Sequence, residues 1–308
     1  MIKSFLLIPL IIVCLFPFPV TGQEPGTMAG NDVIIMYDQP LEKAARNLTN
    51  VYSRLREEVE RQIGWELRAE PTILLIRERQ QFQKLSGNDS FVAFAVPGQN
   101  LIVIDYSRMN RHPFTLPITV KHELCHLLLH QEIDDAVLPR WLDEGVAQWV
   151  TDGIAEIIMD EGAGVLVRAG VTGRYIPLKS IADAFPANNP ALSLAYEESK
   201  SFVEYIIGVY GERALLSILN RLAAGDSIER AIDMICGMSL DSLEAEWHGY
   251  LRKQLPWLTF LSRNMYQVLF VFGAVVTLVG FVRFIRRKRS YRDDEDEIEE
   301  EEHPPYLH

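Results

Sequence analysis

The stretch Lys121-His122-Glu123-Leu124-Cys125-His126 carries more information about this chain than any other. In a helix, His122 and His126 stand four positions apart and lie on one face, one turn above each other. Two neutral imidazoles at that spacing can bind one divalent ion, and Glu123 is then placed to accept a proton from a metal-bound water. The leucines that follow the motif favour a buried helix. The stretch therefore predicts a metal-binding helix.

A second segment downstream can supply a further ligand. It reads Pro139-Arg140-Trp141-Leu142-Asp143-Glu144-Gly145-Val146-Ala147. Zinc in a hydrolase usually has three protein ligands and one open position for water. Glu144 follows His126 by eighteen positions. That distance allows the first helix to end, the chain to turn, and a second helix to return a carboxylate to the two imidazoles.

The two segments together resemble a known family. His-Glu-x-x-His followed by Trp-Leu-x-Glu-Gly-x-Ala is similar to the gluzincin metallopeptidases, which include thermolysin and the zinc aminopeptidases, and above all to the small bacterial peptidase-MA-like group. The resemblance implies that one zinc ion is bound by His122, His126 and Glu144, and that Asp143 is not a ligand. It also implies that Glu123 is the general base. Tyr196 is the expected oxyanion stabiliser, because the family's helix places a tyrosine there near the cleft.

The resemblance extends over roughly residues 90–255, because the C-terminal part also follows the family's order of helices and breaks. Glycines at the expected helix ends divide this part into four helices. We expect Asp226, with Glu229 three residues later, to cap the third of them. The matching segments are Ala195-Tyr196…Ser199, Tyr210-Gly211, Gly225-Asp226-Ser227…Ala231-Ile232 and Leu243-Glu244…Trp247.

The part before the motif predicts a mixed α and β region. Apolar runs at 33–37 and 72–76 read as strands, and helical spacing covers 41–63 and 80–85. Residues 91–105 read as a hairpin that turns at Pro97-Gly98-Gln99-Asn100. In gluzincins such a sheet edge lies along the cleft and can pair with an extended peptide. The alternative is that the hairpin is simply core sheet.

The expected fold is therefore α+β and zincin-like. It comprises an N-terminal mixed sheet with a hairpin edge, the His-Glu-x-x-His helix and a C-terminal helical subdomain, followed by one C-terminal transmembrane helix. We expect a signal peptide at 1–22, an ectodomain at 23–256, a transmembrane helix at 265–284, and a basic then acidic tail at 285–308. The prolines that interrupt the first apolar run favour a cleaved signal over an uncleaved anchor.

The C-terminal apolar run predicts how the chain meets a membrane. Residues 265–282 carry no charge and are just long enough to span a bilayer. Four arginines and one lysine follow within residues 283–289. By the positive-inside rule this end is cytoplasmic, so the ectodomain lies outside the cytoplasm, held in the cell membrane by a single pass.

The net charge of −12 argues against nucleic acid as a partner. Of the three cysteines, Cys14 lies in the signal region, and Cys125 and Cys236 would remain in the mature chain. One disulfide between them is possible in an oxidising compartment, but two free, buried thiols are expected.

Two polar residues near the motif have weaker assignments. His130 continues the four-residue spacing, but Leu129 and Glu132 stand where the metzincin pattern has its glycine and third histidine, so His130 is interpreted as a helix-end residue. Gln148, one turn after Glu144, is a candidate for orienting a metal ligand by a hydrogen bond, without binding the metal itself.

The function that these residues favour is a membrane-anchored zinc metallopeptidase that acts on a peptide or protein. One alternative is a zinc hydrolase of an amide other than a peptide bond. Another is a non-catalytic module that uses the same cleft to bind a partner, although Glu123 and all three ligand candidates are present. A purely structural membrane protein would leave the context of Glu144 unexplained.

Overall fold

The computed structural model describes residues 25–87, 89–109, 111, 113–153, 164–254 and 265–301, with side chains described as far as residue 285. The chain divides into two units, Met1–Tyr250 and Leu251–His308. The signal peptide expected at 1–22 lies outside the described residues, and so do the side chains of most of the expected tail.

A five-stranded mixed sheet forms the N-terminal part of the first unit. Its strands lie in the order β1-β2-β3-β5-β4. The three inner strands run parallel, whereas β1 and β4 at the two edges pair antiparallel with their neighbours. The strands are β1 (Gly26–Ala29), β2 (Ile34–Tyr37), β3 (Thr72–Ile76), β4 (Ala93–Val96) and β5 (Leu101–Asp105). The expected mixed sheet with a hairpin at its edge is confirmed, because β4 and β5 are that hairpin.

The inner strands β3 and β5 are buried along their whole length, which explains why they read as unbroken apolar runs. Alternate residues face opposite sides of the sheet. One side packs on α2 (Arg79–Ser86) through a cluster that includes Phe82 and Val103. Two longer helices, α1 (Glu42–Ile63) and α3 (Leu116–Glu132), contact the sheet and each other. The metal-binding motif lies on α3 and is therefore in the core.

Among the described residues, six further α-helices follow α3 in the first unit, and the last of them continues past Tyr250. They are α4 (Arg140–Val150), α5 (Gly164–Thr172), α6 (Asn189–Tyr210), α7 (Glu212–Ala223), α8 (Ile228–Cys236) and α9 (Leu240–Gln254). Helices α4 and α6 lie against each other most closely at Gly145. A Cβ atom at this position would lie 2.6 Å from the carbonyl oxygen of Ser199. The glycine after Glu144 thus permits a close approach that a side chain would prevent, and it brings α6 beside the metal-binding residues.

The local structure differs from the sequence predictions in two places. Strand β1 was not predicted, because its four residues have little strand propensity and form a strand only by pairing with β2. The cap of α8 is Ser227 and not Asp226. The Ser227 hydroxyl accepts the Arg230 amide, while Asp226 forms an ion pair with Arg221 at 2.5 Å. The expected free cysteines are confirmed, because Cys125 and Cys236 are both unpaired and buried.

The second unit contains one long helix, α10 (Met265–Glu301). Its first part, Met265–Ile285, is the only helix among the described residues that is long and apolar enough to cross a membrane. Its large apolar side chains are exposed, with Phe270 at 77% and Leu278 at 67%. Length and composition therefore suit the expected span, while its orientation stays a prediction.

Candidate active site

Helices α3 and α4 bring the three expected metal ligands together. Nε2 of His122 lies 3.7 Å from Oε2 of Glu144, and Nε2 of His126 lies 3.8 Å from the same oxygen. One ligand atom from each of the three residues lies within 4.8 Å of the others, and all three residues are buried. Residues from two successive helices thus form one buried donor set.

These three atoms fit one zinc ion. They are buried and have no hydrogen-bond partner, an arrangement that is unfavourable unless something else satisfies them. Tetrahedral zinc with bonds of about 2.0–2.1 Å separates its ligand atoms by roughly 3.4 Å, and the two nitrogen–oxygen distances, 3.7 and 3.8 Å, are close to this value. Two imidazoles and one carboxylate also form the donor set of catalytic zinc sites that keep a fourth position open.

In both histidines, Nδ1 has a polar partner that orients the imidazole ring. Nδ1 of His126 lies 2.7 Å from Oδ1 of Asp143, and Nδ1 of His122 lies 3.5 Å from the Thr151 hydroxyl. Because that hydroxyl donates to the Ala147 carbonyl, its oxygen remains to accept from His122. A proton on Nδ1 leaves the lone pair of Nε2 directed at the donor set.

Charge and burial act in opposite directions on these groups. Burial lowers the pKa of His122, which favours the neutral, metal-binding form. Burial has the same tendency at His126, but Asp143 and Glu144 outweigh it and raise the pKa of His126 to about 10. A metal ion that binds Nε2 of His126 must therefore displace a proton from it. Burial alone would raise the pKa of Glu144, but the Arg140 guanidinium and the two imidazoles lower it below its usual range. The carboxylate is therefore held ionised.

Asp143 has a role that the sequence did not predict. It is buried, binds His126, and also accepts from Nε2 of His130 at 3.3 Å. His130 in turn binds the exposed Asp135 at 2.5 Å. The interpretation of His130 as a mere helix-end residue is thus incomplete. Successive helix residues point about 100° apart, so the adjacent carboxylates of Asp143 and Glu144 contact different groups. Two adjacent acids in the downstream segment were the signal in the sequence from which a second role could have been inferred.

We expect Asp143→Asn to weaken zinc binding by roughly 10- to 100-fold, because a neutral amide orients His126 less firmly and lowers its basicity. Competition of the metal-free chain against a chromogenic chelator measures the affinity. Asp135→Asn is the matched control, because Asp135 is exposed and contacts His130 and not a ligand. Equal affinities of Asp143→Asn and the unaltered chain would show that Asp143 does not orient His126.

Glu123 is fully buried on α3, directly after His122. Tyr196 on α6 is 1% exposed, and its hydroxyl lies 3.4 Å from Oε1 of Glu144. Its ring packs edge-on against Phe185 at 5.0 Å between centroids. The structure therefore places both expected catalytic side chains in the buried region that contains the metal donor set.

Gln148, the candidate for orienting a ligand, forms hydrogen bonds to the backbone and not to a ligand side chain. Its Nε2 donates to the backbone carbonyls of Tyr196 and Glu144, at 3.0 and 3.3 Å. The amide therefore joins helix α6 to helix α4. Its contribution is to hold Tyr196 beside Glu144, through the backbone of both.

A cavity of about 420 Å³ opens beside His126. One wall is largely apolar and comes from α2 and the β4–β5 hairpin, and the other comes from the ends of α3 and α4. A second cavity of about 460 Å³ shares His130, Asp135, Arg140 and Asp143 with the first. The largely apolar wall of the cavity beside His126 comprises Leu85, Ser86, Phe91, Phe94, Ala95, Pro97 and Gly98. The hairpin thus borders the same cleft as a metal ligand.

Comparison with known proteins gives one match to a family. The family model of the Peptidase MA superfamily matches residues 74–253, which is more than half of the chain. No curated protein matches the chain.

Among solved structures, the M1 zinc metallopeptidase from Deinococcus radiodurans is 16% identical, with a TM-score of 0.42, over 74% of this chain and 50% of that one. Native leukotriene A4 hydrolase from Saccharomyces cerevisiae is 11% identical, with a TM-score of 0.42, over 67% of this chain and 34% of that one. The chain thus spans half or less of the length of these proteins.

Proposed function

The chain belongs to the Peptidase MA superfamily, and from this membership and the geometry of the donor set we propose that it is a membrane-anchored zinc metallopeptidase that hydrolyses peptide bonds. The observation that carries the proposal is the convergence of three buried atoms without hydrogen-bond partners, Nε2 of His122, Nε2 of His126 and Oε2 of Glu144. A zinc ion held there would supply a Lewis acid that lowers the pKa of a bound water far below its ordinary value, to about 7, and that polarises a carbonyl.

Glu123 serves as the general base in this proposal. Its carboxylate accepts a proton from the attacking water and later passes that proton to the nitrogen of the leaving amine, which completes the cleavage of the C–N bond. Its burial supports the role, because a carboxylate shielded from bulk solvent keeps the proton it takes up for the leaving group.

Tyr196 stabilises the carbonyl oxygen as negative charge develops on it. The position of its hydroxyl supports this, because Oη lies within 3.4 Å of one ligand and is held there by a ring packed in an apolar cluster. A donor fixed before the reaction needs no reorganisation at the transition state, which is what makes such groups effective.

The substrate lies along the β4 edge in an extended conformation. Among the described residues β4 pairs only with β5, so its other edge has no strand partner there. Phe94 and Ala95 of this strand line the cavity that also contacts His126. A peptide added to this edge would therefore pass the donor set, with main-chain hydrogen bonds for affinity and apolar pockets for side chains.

Helix α10 anchors the chain in a membrane. Its apolar part is 21 residues long, enough to span a bilayer core. The basic residues that follow favour a cytoplasmic C-terminus, so that the peptidase unit faces away from the cytoplasm.

The test of this function is incubation of the full-length chain, in detergent micelles, with a diverse peptide library. We expect peptide bonds to be cleaved, cleavage to stop when a chelator removes the metal, and cleavage to return on addition of zinc. Mass spectrometry of the products identifies the bonds that are broken. Intact peptides in a sample that contains bound zinc would exclude a peptidase and favour a hydrolase of another amide or a binding module.

A further inference from the structure

The two oxygens of the Glu144 carboxylate have different surroundings. Oε2 faces the imidazoles of His122 and His126 and has no hydrogen-bond partner. Oε1 lies 2.5 Å from the Arg140 guanidinium and 3.4 Å from the Tyr196 hydroxyl. A carboxylate can bind a metal ion through one oxygen or through both. The contacts of Oε1 therefore determine whether Glu144 can bind a metal ion through one oxygen or through both.

Arg140 is well placed to hold this oxygen. It is the first residue of α4, one turn before Glu144, and its backbone N–H donates to the Ala182 carbonyl at 2.6 Å. Its guanidinium carbon lies 6.0 Å from the centre of the Phe185 ring, within the range of a cation–π contact. These contacts from the segment before α6 fix both ends of the side chain.

The strength of the pair follows from its burial. Glu144 is 0% exposed, whereas the Arg140 side chain is 37% exposed. An ion pair whose carboxylate is shielded from water is short and directional, unlike an exposed pair that exchanges with solvent. Rotating the carboxylate to direct both oxygens at the imidazoles would break this pair and leave the guanidinium with the longer contact to Oδ2 of Asp143, at 3.8 Å.

We propose that Arg140 is a positioning residue that restricts Glu144 to binding the metal through Oε2 alone. The inference rests on the proposed zinc site. With Glu144 supplying one oxygen, the chain supplies three ligand atoms in all, which leaves one position of a tetrahedral zinc free for the reaction. Without the guanidinium, Oε1 keeps the longer contact with the Tyr196 hydroxyl, at 3.4 Å, which holds it less firmly, and the carboxylate can turn toward the ion and fill that position.

The test replaces zinc by Co²⁺ in the full-length chain in detergent micelles, because visible absorption by Co²⁺ weakens as its coordination number rises. Arg140→Gln is expected to keep about one Co²⁺ per chain, with molar absorption reduced by about twofold or more, because geometry governs these bands. The zinc form of the variant is expected to lose roughly 10- to 100-fold in kcat, as other changes behind a ligand do.

Two further samples separate this role from a merely structural one. Arg140→Ala with added methylguanidinium is expected to regain the absorption, because Arg140 lines two cavities that can admit this ion. Arg46→Gln is the matched control, because Arg46 forms the same four-residue pair with Glu42, at 2.7 Å, on the exposed face of α1. We expect this control to match the unaltered chain.

Unaltered absorption and kcat in Arg140→Gln would overturn the inference. If that variant does not fold, Arg140→Lys replaces it, since an ammonium lacks the paired donors of a guanidinium and should give intermediate absorption. Wild-type absorption in Arg140→Lys would then overturn the inference. Failure of the unaltered chain to bind Co²⁺ or zinc would instead refute the proposed function and this inference together, so the two failures are distinguishable.

Discussion

Glu123→Gln is expected to abolish most of the hydrolysis while the metal stays bound. The amide has nearly the same size as the carboxylate but cannot accept a proton, so kcat should fall by about 10² to 10⁴. The zinc content should remain about one per chain, because His122, His126 and Glu144 are unchanged. Steady-state kinetics on a peptide that the unaltered chain cleaves, together with metal analysis of the same sample, measures both quantities.

The control for this change is Glu132→Gln, at the end of the same helix. Glu132 forms an ion pair with Arg68 at 2.7 Å and is absent from the lining of the cleft, so its variant should keep full turnover. Tyr196→Phe gives an independent comparison. It should also keep zinc but lose roughly 10²- to 10³-fold in kcat if Tyr196 stabilises the oxyanion. Unchanged turnover in Glu123→Gln would remove Glu123 from its role as the base.

His126→Ala is expected to lose the zinc altogether. The change removes one of three ligand atoms and one of the two imidazoles that Asp143 binds. Zinc content should fall from about one per chain to background, and peptide hydrolysis should fall with it. Metal analysis after gel filtration measures the content, and circular dichroism shows whether the helices are retained.

The matched control for this loss is His130→Ala, one turn further along the same helix. His130 contacts Asp143 and Asp135 but no ligand atom of the donor set, so the control should retain zinc. Glu144→Gln removes a different ligand and should lose zinc as His126→Ala does. Retention of a full zinc ion by His126→Ala would mean that the metal lies elsewhere.

The sequence predicted the parts of the site that depend on local spacing. The His-Glu-x-x-His repeat places two imidazoles on one helix face whatever surrounds that helix. The leucines after the motif predicted that its helix is buried, and α3 is a buried helix. Glu144 itself was identified by resemblance, and only the fold shows that its Oε2 faces both imidazoles.

The roles of Asp143 and Arg140 could not be read from spacing. Each depends on how α4 crosses α3, because the same two side chains on an isolated helix would simply be a charged pair near its start. The partners of Gln148 could not be predicted from spacing for a similar reason. A residue one turn after a ligand can point toward the metal or toward a neighbouring helix, and here the close contact at Gly145 brings the backbone of α6 within its reach.

An anomalous difference map from crystals of the full-length chain, recorded above the zinc absorption edge, tests the metal site most directly. We expect one strong peak within bonding distance of Nε2 of His122, Nε2 of His126 and Oε2 of Glu144. A map without a peak there, or a structure in which Glu144 turns away from the imidazoles and leaves no room for an ion, would contradict this expectation.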